Sequence, residues 1–174
     1  MTPYYEDELV TTTRDSALAL WGSRVAAVFG DLMLPPPRGT RQVLIYQKAP
    51  DAGTKGAFGG FRRDVEAIYL IGPWTAGLHG RSSVIQTAAP KQAGEHGITG
   101  RYRHPHAKPV DVLEQLITVC PPGTIADPFA GSGSTLVAAR NLGRRAIGVE
   151  IEERYCEIAA RRLAQQPLPI GGAA

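Results

Sequence analysis

Residues 124 to 135 carry the pattern best suited to binding a small ligand. A short apolar run, Thr124-Ile125-Ala126, leads into Asp-Pro-Phe-Ala-Gly-Ser-Gly-Ser-Thr. A stretch with good helix propensity follows from Leu136 to Leu142. A strand that ends in a glycine turn at a helix N-terminus brings unpaired backbone N–H groups towards whatever lies above the sheet. The chemistry indicated is recognition of a negatively charged or nucleotide-like molecule.

An acidic side chain follows at a spacing that suits the same ligand. Residues 145 to 149 read as a second buried strand, and this strand ends at Glu150, which lies 19 positions after Gly131. One carboxylate at this distance from a glycine turn can grip the two hydroxyls of a ribose. The pair therefore predicts a site for an adenosine-containing molecule.

Three kinds of nucleotide site compete for this pattern. A P-loop requires a lysine after its glycines, and none occurs near this turn. A dinucleotide fingerprint fits Gly131 and Gly133, but its third glycine position is Leu136, which is expected to crowd the helix against the strand. The third kind is an S-adenosylmethionine pocket, and residues 127 to 135 resemble the cofactor loop of DNA amino-methyltransferases.

The order of motifs along the chain strengthens this resemblance. His-Pro-His-Ala-Lys-Pro (104–109) precedes the glycine turn, and Gly-Val-Glu (148–150) and Glu-Arg-Tyr (153–155) follow it. This is similar to the permuted N4-cytosine/N6-adenine enzymes, over about residues 14 to 163. In the upstream half, residues 27–30, 41–48 and 66–72 resemble the short versions found in phages and actinobacteria. The resemblance implies an α/β, Rossmann-like methyltransferase fold with a mostly parallel sheet and an antiparallel hairpin. It implies a site-specific DNA methyltransferase, as in restriction-modification, with S-adenosylmethionine as cofactor and double-stranded DNA as partner.

The resemblance also assigns roles to single residues. Asp127 and Phe129 are expected to line the methionine end of the pocket, and Glu150 is expected to accept both ribose hydroxyls. The remaining expected cofactor contacts are Lys108, Pro109, Gly131, Ser132, Gly133, Ser134 and Thr135. Gly131, Ser132 and Gly133 let the backbone approach the cofactor, and Ser134 and Thr135 lie near its carboxylate.

One family motif has no counterpart in the 174 residues. The catalytic tetrapeptide, Asp/Asn/Ser-Pro-Pro-Tyr/Phe/Trp, accepts hydrogen bonds from the target amine and stacks on the flipped base. The nearest stretch, Thr2-Pro3-Tyr4-Tyr5, lacks the acceptor. No catalytic residue is therefore assigned, and we expect a strand to be missing between Val10 and Arg14. The alternative function is an inactive relative that binds cofactor or DNA.

Periodicity predicts the remaining elements. Asp15 and Ser16 are expected to cap a helix that stops at Gly22. Pro109 is expected to open a helix with Leu113, Leu116, Ile117 and Cys120 at helical spacing on one face. Strands are predicted at 25–29, 41–48 and 67–72, the first as a doubly buried strand of a parallel sheet. A last helix is predicted at 152–163, with residues 155, 158, 159 and 163 on one face.

Residues 73 to 103 show no periodicity, and by itself this segment fits either a solvated surface loop or the predicted DNA-contact region. It is rich in glycine, alanine and serine, and it carries Arg81, Arg101 and Arg103, the expected phosphate partners. His104 and His106 form a pair without a third ligand nearby, so no metal site is expected.

Composition sets broad limits. A chain of 174 residues is expected to form a single methyltransferase domain. No apolar run reaches eighteen residues and the first eight are polar and acidic, so neither a membrane span nor a signal peptide is expected. Two distant cysteines suit a reducing compartment, which predicts a cytoplasmic protein. The net charge of +3 is too small to indicate a nucleic-acid partner by itself.

Overall fold

The structure is a computed structural model, and it describes residues 5–49, 54–55, 60–75, 80–87 and 107–165. The chain divides into two compact units. One comprises Met1–Lys91 with Val119–Pro121, and the other comprises Gln92–Thr118 with Pro122–Ala174. The organisation as a single domain stays a prediction.

The first unit begins with a helix that is longer than expected. Helix α1 spans Tyr5–Trp21. The predicted cap at Asp15 and Ser16 is wrong, because both residues lie inside this helix, which starts ten residues earlier. The predicted stop is confirmed: Gly22 takes a left-handed φ of 74° and donates its N–H to the Leu18 carbonyl at 2.9 Å.

A four-stranded sheet forms the centre of the first unit. Its strands are β1 (Ala26–Gly30), β2 (Thr40–Gln47), β5 (Val65–Ile71) and β6 (Val84–Gln86), in the order β1-β5-β2-β6. Strand β5 pairs antiparallel with both β1 and β2, and β6 pairs parallel with β2. A separate antiparallel pair joins β3 (Thr54–Lys55) to β4 (Arg62–Arg63).

Two sequence expectations fail in this sheet. The run 25–29 does form a strand, but it pairs antiparallel and its residues are mostly half-exposed, so the parallel, doubly buried interpretation is wrong. The doubly buried strand is instead the central β5, where Ala67 to Ile71 are all buried. The segment 73–103 was expected to lack regular structure, yet it contains β6, whose three residues are too few to show a period.

The second unit holds the glycine-rich stretch. It contains β7 (Ile125–Asp127), α3 (Ser134–Asn141), β8 (Ala146–Gly148), α4 (Glu153–Ala164) and all but the last residue of α2 (Val110–Val119). Strands β7 and β8 are parallel, with Ile125 opposite Ala146 and Asp127 opposite Gly148. The helix after Pro109 is confirmed, and it buries Leu113, Leu116 and Ile117. Cys120, expected on the same face, lies one residue beyond the helix and is half-buried.

The α/β class is confirmed, and the strand pairing in the described residues is mixed. Residues 10 to 14 belong to α1. The expected loss of a strand between Val10 and Arg14 stays a prediction. Within the described parts of the chain, no helix has both the length and the apolar character needed to cross a membrane.

Candidate functional site

The glycine turn, residues 130 to 133, joins β7 to α3. Gly131 and Gly133 take φ values of 52° and 79°, a left-handed region that favours glycine. The Gly133 N–H donates to the Ala130 carbonyl at 2.8 Å, and the Gly133 carbonyl accepts the first helical bond, from Val137 N–H, at 3.0 Å. The helix therefore begins directly at the turn, as the sequence predicted.

Strand β8 continues alongside the turn beyond its last paired residue. Val149 donates its N–H to the Asp127 carbonyl and accepts a bond from Ala130 N–H, both at 2.9 Å. These bonds hold the segment after β8 against the end of β7. Glu150, the next residue, is thereby placed beside the glycine turn at the carboxyl ends of two parallel strands, where ligands bind in open α/β sheets.

Each oxygen of the Glu150 carboxylate accepts a hydrogen bond from a backbone N–H group. Its Oε2 accepts the Gly131 N–H at 2.7 Å and its Oε1 accepts the Glu152 N–H at 2.9 Å. A carboxylate offers about four lone-pair positions, and these two bonds use one on each oxygen. The side chain is part-buried and fixed in orientation, and the described residues leave one further acceptor position on each oxygen.

Asp127 and Phe129 lie at the end of β7. The Asp127 carboxylate accepts the Phe129 N–H at 3.0 Å, which turns the chain sharply after the strand. The Phe129 side chain is 59% exposed, and Ile151, directly after Glu150, is 97% exposed. A large, exposed apolar side chain therefore directly precedes the glycine turn, and another directly follows Glu150.

Ser132 and Ser134 are buried and face away from solvent. Both hydroxyls lie 3.2 Å from Nη1 of Arg162, a buried residue of α4, and the Ser132 carbonyl accepts from the same nitrogen at 2.6 Å. Sequence reasoning did not select Arg162. Its position follows Tyr155 by seven and Ala159 by three, the spacing of one helical face, which is the signal that could have found it.

Two other predicted cofactor residues precede α2. Pro109 is buried and its carbonyl accepts the Leu113 N–H at 3.4 Å, and Lys108 is half-buried. Helix α2 is tied to α3 by a bond from Asn141 Nδ2 to Glu114 Oε1 at 2.8 Å. Thr135, in the first turn of α3, is also half-buried.

The expected DNA contacts and histidines are only partly within the described residues. Arg81 is exposed just before β6. Arg101, Arg103, His104 and His106 lie outside the described residues. Within the described ranges, no three His, Cys, Asp or Glu side chains are grouped as a metal site would require.

Comparison with known families gives one extended match. The family model for N6/N4 methyltransferases, which is described as DNA methylase, matches residues 41–161 of this chain. Among curated proteins, YubD of Escherichia coli strain K12, which is named as a methylase, is 39% identical over 113 residues, covering 64% of this chain and 46% of YubD. The type II methyltransferase M.ScaI of Streptomyces caespitosus is 48% identical over 65 residues, covering 36% of this chain and 21% of M.ScaI. The chain thus spans less than half the length of both relatives.

Solved structures show the same fold. The M1.HpyAVI–SAM complex superimposes with a TM-score of 0.62 at 18% identity, over 82% of this chain and 76% of that one. The cytosine-N4-specific PvuII DNA methyltransferase superimposes with a TM-score of 0.54 at 15% identity, over 73% of this chain and 52% of that one. The predicted methyltransferase fold is therefore confirmed.

Proposed function

The chain belongs to the DNA methylase family, and from this premise we propose that it binds S-adenosylmethionine between the glycine turn and Glu150. We further propose that it methylates the exocyclic amine of adenine (N6) or cytosine (N4) in double-stranded DNA. A role in restriction-modification, a phage origin and a cytoplasmic location are part of this proposal.

One observation carries the proposal. The Glu150 carboxylate is bonded to the Gly131 N–H at 2.7 Å, although the two residues are 19 positions apart. The acid and the glycine turn are therefore one site, at the carboxyl ends of β7 and β8. This arrangement suits a molecule with a ribose at one end and an anionic group at the other.

The chemistry of the site fits the proposed cofactor. Each Glu150 oxygen keeps an acceptor position after its backbone bond, which suits the two hydroxyls of a ribose. The start of α3 provides the positive end of a helix dipole for a carboxylate. The exposed side chains of Phe129 and Ile151 provide apolar surface for the adenine and the methionine chain.

S-adenosylmethionine supplies the methyl group when bound. The residues of this chain bind and orient it: Glu150 fixes the ribose, and Asp127, Phe129, Lys108 and Pro109 are assigned to the remaining pocket. Ser134 and Thr135 are assigned to the end of the site at α3, where backbone N–H groups begin the helix.

A second candidate is a relative that binds cofactor or DNA without transferring the methyl group. The observation that favours it is the sequence itself, which contains no Asp/Asn/Ser-Pro-Pro-Tyr/Phe/Trp tetrapeptide in 174 residues. The target amine is a weak nucleophile, and the family relies on that motif to accept its hydrogen bonds.

The cofactor site is tested by Glu150→Ala. Because this change removes an acceptor that is expected to make charge-assisted bonds of about 1.5–3 kcal/mol, we expect S-adenosylmethionine to bind about 10- to 100-fold more weakly. Isothermal titration calorimetry measures the affinity. Glu157→Ala is the control, since that exposed carboxylate pairs only with Arg161 among the described residues. If Glu150→Ala binds S-adenosylmethionine as tightly as the wild type does, Glu150 does not contact the cofactor.

Methyl transfer is tested with tritiated cofactor and unmethylated DNA. Label in adenine or cytosine after digestion supports the enzyme and identifies the base. Binding by calorimetry without any label in DNA supports the inactive relative instead.

A further inference from the structure

Arg162 is a buried cation that lies behind the glycine turn. Only 6% of the residue is exposed. Its Nη1 donates to the Ser132 carbonyl at 2.6 Å and lies 3.2 Å from the hydroxyl oxygens of both Ser132 and Ser134. One nitrogen of the guanidinium therefore contacts the residues on both sides of Gly133.

These contacts fix the peptide between Ser132 and Gly133. In a trans peptide the C=O and N–H groups point in opposite directions. Here the carbonyl is bound to Arg162, and the N–H donates to the Ala130 carbonyl at 2.8 Å. Because both ends of the peptide are bonded, its plane cannot rotate without breaking a hydrogen bond.

The turn needs such restraint because of its composition. Gly131 and Gly133 both take left-handed φ values, and glycine loses more conformational freedom on ordering than any other residue. A turn with two glycines samples several conformations unless contacts from elsewhere select one. The same turn presents the Gly131 N–H to Glu150 and begins α3.

The helix that carries Arg162 is itself anchored. Arg140 of α3 donates through Nη1 to the carbonyls of Arg162, Leu163 and Gln165, at 3.0, 2.9 and 2.7 Å. A side chain at Gly133 would meet the Cβ of Ala159 at 2.7 Å, so α4 also packs directly on the turn. Arg162 therefore acts from a fixed platform.

We propose that Arg162 is a positioning residue that holds the glycine turn in its cofactor-binding conformation. It acts from behind, through the Ser132 carbonyl and the two serine hydroxyls, and it does not touch the cofactor. This inference rests on the proposed binding of S-adenosylmethionine at the turn. A turn that is already ordered binds more tightly, because less conformational entropy is lost on association.

The first measurement needs no ligand. Arg162→Lys keeps the charge but replaces the planar fork by a single ammonium, which cannot match the guanidinium geometry. We expect the Gly133 amide to exchange with deuterium at least about tenfold faster in this variant, since its hydrogen bond to Ala130 is no longer held. The amides of Leu116 and Ile117, buried in α2, should exchange as in the wild type.

The second measurement is the affinity for S-adenosylmethionine by calorimetry. We expect Arg162→Lys to bind about tenfold more weakly, with the loss in the entropy of binding, and Arg162→Met to bind more weakly still. Arg161→Met is the matched control, because Arg161 is the neighbouring residue, is 77% exposed and pairs with Glu157. It should bind as the wild type does.

The outcomes separate this inference from the proposed function. If the wild type binds and folded Arg162→Lys has both wild-type affinity and wild-type Gly133 exchange, the positioning role is overturned and the cofactor site stands. If the wild type binds no S-adenosylmethionine, the proposed function fails, and Gly133 exchange still decides whether Arg162 orders the turn. If Arg162→Met does not fold, Arg162→Lys carries the test.

Discussion

Gly148 shows how one residue type determines the packing of the site. A Cβ placed on Gly148 would lie 2.8 Å from Leu136 Cδ1 and 2.9 Å from the Ala130 Cβ. Leu136 of α3 therefore occupies the space that a side chain on β8 would need. The sequence argument that Leu136 crowds the helix against the strand is incomplete, because the opposing glycine makes the room. Membership of the DNA methylase family, and not this steric argument, now decides against the dinucleotide site.

At the residue scale we expect Gly148→Ala to destabilise the protein by about 1–3 kcal/mol, because the added methyl group overpacks a filled contact. Urea denaturation followed by circular dichroism measures the change. Gly80→Ala is the control, since among the described residues no atom other than those of its chain neighbours lies within 4 Å of its added Cβ. Gly148→Ala should destabilise the Leu136→Ala variant less than it destabilises the wild type, because the added methyl group no longer meets the Leu136 side chain. A loss of equal size in both backgrounds would contradict the contact.

At the scale of elements, two arginines join α3 and α4 at both ends of α3. Arg162 reaches the residues before and at the start of α3, and Arg140, near its end, binds three carbonyls in the last turn of α4 and just beyond it. The last carbonyls of a helix have no partner within it, so a cation there satisfies them and opposes the negative end of the dipole. The two helices thereby fix each other and the turn between β7 and α3.

We expect Arg140→Met to lower the free energy of unfolding by about 1–3 kcal/mol. The variant leaves the α4 carbonyls unpaired, while it relieves the buried Arg140 Nε, which has no partner among the described residues. Urea denaturation gives the value. Arg161→Met should change it by at most about 0.5 kcal/mol, since exposed i,i+4 pairs contribute little. Equal changes in the free energy of unfolding for the two variants would contradict a stabilising contact of Arg140 with the end of α4.

At the scale of the whole molecule, the proposed partner is DNA. The three arginines assigned to phosphates come from residues 73 to 103, and only Arg81 lies in the described structure, where it is exposed. Strand β6 follows Arg81 closely and pairs with β2. Arg81 is therefore attached to the four-stranded sheet of the first unit.

We expect the Arg81→Ala, Arg101→Ala, Arg103→Ala triple variant to flatten the salt dependence of DNA binding. Each lost phosphate contact should lower the slope of log K against log salt by about 0.9, so the triple variant should lose roughly 2–3. Fluorescence anisotropy with a DNA duplex at several salt concentrations measures the slope. Arg154→Ala, which removes an exposed arginine that pairs with Glu152, is the control. An unchanged slope in the triple variant would place the interface elsewhere.

Much of the architecture could be predicted because its signals are local. The glycine turn, the helix after it and the helix after Pro109 follow from consecutive residues whose conformations are set by their neighbours. The start of α1 and strand β6 could not be predicted in this way. Helix α1 carries only a weak pattern in its first half, and β6 is a three-residue strand held by its pairing with β2.

Residue types along a continuous stretch were enough to predict the family, the glycine turn and the acid that follows it at a fixed spacing. Three further facts became visible only in the folded chain: the Glu150 oxygens bind the N–H groups of Gly131 and Glu152, Leu136 packs against Gly148, and Arg162 binds Ser132 and Ser134. Apart from the bond to Glu152, these contacts join residues 12 to 30 positions apart. They depend on how β7, β8, α3 and α4 pack together, and the residue types of one stretch do not specify which side chains meet across these elements.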